Sequence, residues 1–214
     1  MATERGLVDT WGAIREERVA LADALEGLPD DAWERPSLCT AWTVREVVAH
    51  LVATAQMTPP VFFGRMVASG FRFQAMSDAN IRRVLAGRRS NANLLATYRS
   101  LAGARTAPPG PATSWLGETI VHGEDIFRAL GGYRDHPTGH LIAVADFYAG
   151  SNLLIGAKDR VAGTRLRATD ADWSHGTGRE VAGPLVALVM AMTGRRPAAD
   201  DLTGEGATLL RNRS

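Results

Sequence analysis

Apolar residues recur at helical spacing through most of the first 157 residues, and short strand-like alternation appears only after residue 158. A chain patterned in this way buries its apolar stripes by packing helix on helix, which leaves a bundle as the economical solution. Leu7, Val8, Trp11, Ile14, Val19, Leu21, Ala22 and Leu25 predict a first helix over 4–26, closed by Gly27 and Pro29. Thr43-Val-Arg-Glu46 is a capping-box sequence, so a second helix is expected to begin at about Thr43. It runs to Pro59 and Pro60, which either stop it or open a new helix at FFGRMV. Ser77-Asp78 and Ser90 are candidate caps for a third helical region reaching about Leu101 and interrupted near Gly87, after which TAPPGPAT reads as a rigid linker. A fourth helix is expected from about Thr113 to Leu130, ended by Gly131-Gly132, and a strongly apolar fifth over 138–157. Beyond that, TRLRAT and DWSHG form a small hairpin around Asp170-Ala171, GPLVALVMAMTGR a short helix with Pro184 in its first turn, and the tail one more short helix. The expected class is mainly α: a four-helix bundle over 1–157 and a small α+β C-terminal unit, hairpin plus short helices, over 158–214.

Composition narrows the function. The 214 residues are 45% hydrophobic and 22% charged, enough for a core that needs no staples. A net charge of +1 with scattered basic residues lacks the footprint of a nucleic-acid binder. No apolar run of about 18 residues exists, and the opening MATERGLVDTWGAIREE is charged from its fourth residue, so neither a membrane span nor a signal peptide is expected and the cytoplasm is the default compartment. Cys39 is the one cysteine, so thiol chemistry must use it or a thiol brought by a partner. A single lysine, Lys158, beside 23 arginines fits a GC-rich bacterial codon bias.

The stretch GETIVHGEDI, residues 117–126, puts Glu118, His122 and Asp125 on one side of the fourth helix. A solvated face and a metal site would carry the same pattern. Glu118 and His122 stand one turn apart, close enough to grip one ion. His50 sits at the edge of the second helix's apolar face, made by Val44, Val48, Leu51 and Ala55, either as a core-edge histidine or as a third ligand. Two imidazoles and one carboxylate leave a fourth position open, the pattern of catalytic zinc, and bundles build such sites from facing helices. Asp125 either orients a ligand or faces water. His136 and His140 flank Pro137 and read as a solvated turn, while His175 beside Trp173 reads as structural or exposed. GTGREVAG at 176–183 lacks the context of a phosphate loop and reads as a turn. Cys39 is either inert or activated by the following helix start. In NIRRVLAGRR the arginines Arg82, Arg83, Arg88 and Arg89 form a solvated face, with Arg82 and Arg83 as candidate anchors for an anionic substrate.

The stretches PSLCTAWTVREVVAHL, ETIVHGEDIFRALG and GPLVALVMAMTGRRPAADDLTGEG resemble the mycothiol-dependent maleylpyruvate isomerase family, whose N-terminal part is a DinB-like metal-binding bundle. The resemblance spans nearly the whole chain. It implies metal ligands at a histidine of the second helix and an acid-xxx-histidine of the fourth, which here are His50, Glu118 and His122. It also implies a divalent metal, with Zn2+ expected, and mycothiol as thiol cosubstrate in an actinobacterial cytoplasm. The expected activity is an S-transferase or cis–trans isomerase acting on a small electrophile, with a non-catalytic metal- or ligand-binding bundle, a sensor or carrier, as the alternative. An open zinc position lowers a bound thiol's pKa from about 8.5 toward neutrality, so that the thiolate can add to an activated alkene or displace a leaving group. An arginine would hold a substrate carboxylate. The expected partners are mycothiol and the electrophile, with no nucleic acid and no membrane, and a homodimer is compatible with the sequence.

Overall fold

Thr43 and Glu46 satisfy each other's helix end: the Glu46 amide donates to Thr43 Oγ1 at 3.3 Å and the Thr43 amide to Glu46 Oε2 at 2.9 Å. This box fixes the start of α2 (Val44–Ala55), which follows α1 (Thr10–Glu26) and a 3-10 turn at Asp30–Glu34. The structure, a computed structural model, describes residues 9–39, 41–87, 90–153 and 155–213. The expected start of the first helix before residue 9, and Arg88 and Arg89, lie outside the described residues. Pro59 opens α3 (Pro59–Ala68) at its first position, where its missing amide costs nothing. Then come α4 (Phe73–Ala86), α5 (Asn91–Ser100), capped by the Ser90 hydroxyl, and α6 (Ala112–Ala129). The third helical region is therefore two helices, and the first of them begins at Phe73, ahead of Ser77-Asp78.

Two compact units emerge from the contacts. In Thr10–Arg134, α1 packs on α5 and α6, and α2 packs on α5, α6 and α4, so α1, α2, α5 and α6 close a ring around a core that includes Leu21, Leu25, Trp33, Val48, Val52, Leu94 and Ile126. Buried ions are threaded through this ring. Arg134 lies 3.6 Å from Glu17, and Arg128 donates to Glu124 at 2.6 Å.

The other unit is built on Asp135–Ser214. Its α7 (Thr138–Gly150) is shorter than the expected 138–157, since a turn and the four-residue α8 (Ala157–Arg160) take its place. Strand β1 (Thr164–Ala168) pairs antiparallel with β2 (Ser174–His175), Leu166 opposite His175, as the hairpin signal predicts. A third strand, β3 (Arg179–Gly183), pairs parallel with β1, Leu166 opposite Val181. GTGREVAG is thus half strand rather than a turn. Its glycines Gly176 and Gly178, both at positive φ, bring the backbone so close to the carbonyls of Thr164 and Gly163 that a Cβ would collide, which is why a glycine-rich sequence hides a strand start. The apolar α9 (Leu185–Met192), buried at every position but Val186, a 3-10 turn at Arg196–Asp201 and α10 (Ala207–Asn212) complete the unit. The protein is mainly helical with a small three-stranded C-terminal sheet, and no helix among the described residues is long and apolar enough to cross a membrane.

Candidate metal centre

In α2 the side chains of Val44, Val47, Val48 and Leu51 go into the core, which leaves His50 at the edge of the buried face with 12% of its side chain exposed. On α6, Leu116, Ile120 and Ile126 take the core, and Glu118 and His122 flank it with 14% and 12% exposed. The two edges meet. His50 Nε2 lies 3.1 Å from Glu118 Oε1, and the His50 and His122 rings are 5.1 Å apart, nearly edge to face.

Each of these groups is held from behind. His122 Nδ1 is 3.0 Å from Asp125 Oδ2, and Asp125 is fully buried, so a carboxylate acceptor assigns the proton to Nδ1 and leaves Nε2 with its lone pair. The Asp125 carbonyl in turn accepts from the Leu38 amide at 2.9 Å, fastening the loop before α2 to α6. Thr54, one turn after His50, donates to Glu118 Oε1 at 3.1 Å. Trp42 lies against both imidazoles, 4.7 Å from His50 and 6.1 Å from His122, and its indole donates to Asp78 Oδ1 of α4 at 3.1 Å. Deeper in, burial lowers the proton affinity of Arg18, offset in part by Tyr98 and Glu118, and Arg18 donates to the carbonyls of Leu101 and Ala104.

One donor atom each from His50, Glu118 and His122 lies within 4.8 Å of the others. Ligand atoms around a tetrahedral zinc lie about 3.4 Å apart, from bond lengths of about 2.1 Å, so the set fits an ion after a small contraction. Nitrogen and carboxylate oxygen donors suit zinc and its borderline neighbours. Cys39, His122 and Asp125 form a second grouping of the same tightness that shares His122. The first set joins two facing helices and leaves the buried Asp125 to hold His122 Nδ1 from behind, so it is the better ion site.

Arg82 is exposed on α4 and makes no hydrogen bond or ion pair among the described residues, and Arg83 donates to Asn80 instead of meeting the histidines. His175 is exposed in β2 and stacks on Trp173 at 6.4 Å. His140 departs from its expected solvated turn: it is 7% exposed in the first turn of α7, because the helix starts right after Pro137 and turns that position inward. Sequence reasoning passed over Trp42, Thr54 and the closeness of Cys39. Only Thr54 carried a signal, standing four residues after His50 on the same helix face.

Residues 14–127, more than half of the chain, match the family described as mycothiol maleylpyruvate isomerase N-terminal domain. The chain belongs to this family. Two crystal structures resemble it along 92% of both chains at 16% identity: a mycothiol-dependent maleylpyruvate isomerase, with a TM-score of 0.55, and a histidine-to-alanine mutant of that enzyme, with 0.52. At that identity they establish the fold. No curated protein matches.

Proposed function

We propose that this family member is a metal-dependent enzyme that uses mycothiol in an S-transfer or cis–trans isomerisation of a small electrophile. The observation that carries the reading is the convergence of His50, Glu118 and His122 from facing helices, three donors with a fourth position left to an exogenous ligand. A bound divalent ion, zinc by its donor set, would supply Lewis acidity that keeps a thiol ionised at neutral pH. The chain's own residues prepare that place. Asp125 keeps the His122 proton on Nδ1, Thr54 fixes one Glu118 oxygen, and Trp42 shields both imidazoles from water while Asp78 holds the indole in place. Cys39 is not needed as the reacting thiol in this reading.

The test is turnover of a panel of small electrophiles, cis-alkenes conjugated to carbonyls among them, by zinc-loaded protein with and without mycothiol. Turnover that requires both metal and mycothiol supports the reading. Stoichiometric zinc without turnover of any panel member sinks it in favour of a non-catalytic metal binder.

A further inference from the structure

A pocket opens between α3 and α4 in the helical unit, with Arg65 and Ser69 on one side, Arg83 on the other, and Ala68, Met76 and Ala79 as its apolar floor. Arg65 and Arg83 converge on a single neutral atom: Arg65 Nη1 donates to Asn80 Oδ1 at 2.8 Å and Arg83 Nη1 to the same oxygen at 3.1 Å. Asn80 is 3% exposed, so this amide is a fixed post rather than a mobile surface group. Two cations on one uncharged acceptor repel each other. Burial and then the charge of Arg83 lower the proton affinity of Arg65.

Neither guanidinium has a carboxylate partner among the described residues. Several arginines elsewhere are neutralised by carboxylates, Arg99 by Asp23 and Glu26, Arg128 by Glu124, Arg167 by Glu180. The nearby acid of α4, Asp78, is committed to Trp42 and Gln74. A guanidinium carries five N–H donors in a planar fork suited to oxyanions, and among the described residues each of these two makes one hydrogen bond, to Asn80.

We propose that the pocket between α3 and α4 binds a small oxyanion, its charged oxygens held by Arg65 and Arg83 and its apolar body resting on Ala68, Met76 and Ala79. This inference stands without the metal reading, since none of its residues belongs to that site. The head group shared by carboxylates and phosphates is what the two arginines recognise. The apolar floor favours a carboxylate on a hydrocarbon body over free phosphate.

The test is a titration of 15N-labelled full-length protein at constant ionic strength with inorganic phosphate, acetate and benzoate, following the amides of Ala68, Ser69, Ala79 and Arg83. Saturable shifts at these amides are expected, with benzoate binding more tightly than acetate or phosphate. Arg65→Gln and Arg83→Gln should each weaken binding at least tenfold. In anion-free buffer both variants should melt no lower than the wild-type protein, because each removes one of two repelling charges while Asn80 keeps a donor. Phosphate binding as tightly as benzoate overturns the apolar-body part of the proposal. Absence of saturable shifts with any of the three anions, undiminished binding in both variants, or marked loss of stability in both would overturn the site.

Discussion

Asp125 is fully buried only three residues from a histidine that reaches the surface with 12% of its side chain, and a buried carboxylate persists only when its lone pairs are used. Its bond to His122 Nδ1 gives it that use and gives His122 a fixed tautomer. In the proposed site, His50→Ala or His122→Ala should leave two protein ligands and abolish stoichiometric zinc, measured by metal analysis after dialysis, whereas His136→Ala and His175→Ala should retain it. Asp125→Asn keeps the shape but replaces the carboxylate, and is expected to weaken zinc by about 10–100-fold. Full zinc affinity in both ligand variants would place the ion elsewhere. A second residue-scale outcome concerns Tyr98, whose hydroxyl is completely buried and lacks a hydrogen-bond partner among the described residues. Burial raises its pKa well above the ordinary 10, partly countered by Arg18 and Arg134. The folded state therefore keeps a proton that the unfolded state releases above pH 10, so this contribution is intact below pH 10 and falls by about 1.4 kcal/mol per pH unit above it. Denaturant titrations should show a shallower alkaline decline for Tyr98→Phe, and no loss at neutral pH, because the orphaned hydroxyl goes with the substitution. An unchanged alkaline slope would refute the assignment to Tyr98.

Helix α6 carries the two proposed ligands one turn apart and also a glycine, Gly123, directly after His122. Glycine in a helix interior costs about 1 kcal/mol relative to alanine, so its place here needs a reason. A Cβ at Gly123 would run into the Arg134 guanidinium, which is buried against Glu17. Gly123→Ala is therefore expected to be destabilising by about 1–2 kcal/mol in spite of its better helix propensity, by displacing a packed, buried ion. On an Arg134→Met background the same change should become neutral or stabilising, and a double-mutant cycle by urea denaturation measures the coupling. Additive effects would show that Arg134 is not what excludes a side chain. The elements most readable in the sequence were those with chemical punctuation, the capping box of α2, Pro59 at α3 and Ser90 at α5. The start of α4 at Phe73 lacked a side-chain cap to announce it, and β3 was concealed because parallel pairing to a distant strand leaves no local turn signal. At the site, the i to i+4 spacing announced Glu118 and His122, but Trp42 reaches His50 through the turn that precedes α2, a contact no periodicity encodes.

At the scale of the whole chain, apolar periodicity and packing end the helical unit at different residues. Periodicity alone places the boundary after residue 157, since the segment from 138 reads as one more bundle helix. Contacts group α7 with the C-terminal residues instead: it packs on α9 and α8, and the Trp173 indole donates to Asp146 of α7 at 2.8 Å. The physical reason is that α7 is apolar around much of its circumference, so its sequence specifies burial without specifying the neighbour. The Trp173 bond supplies that choice, tying the loop before β2 to the helix. Hydrogen exchange in rising denaturant separates the two boundaries, because cooperative units open together. The amides of α7 are expected to lose protection in step with α9, while α2 and α6 lose theirs in a separate step. An Asp146→Leu substitution should lower protection in α7 and around Trp173 and leave α2 and α6 unaffected. If α7 opens together with α6, the helical unit extends to residue 157 and the Asp146–Trp173 bond does not define the smaller unit.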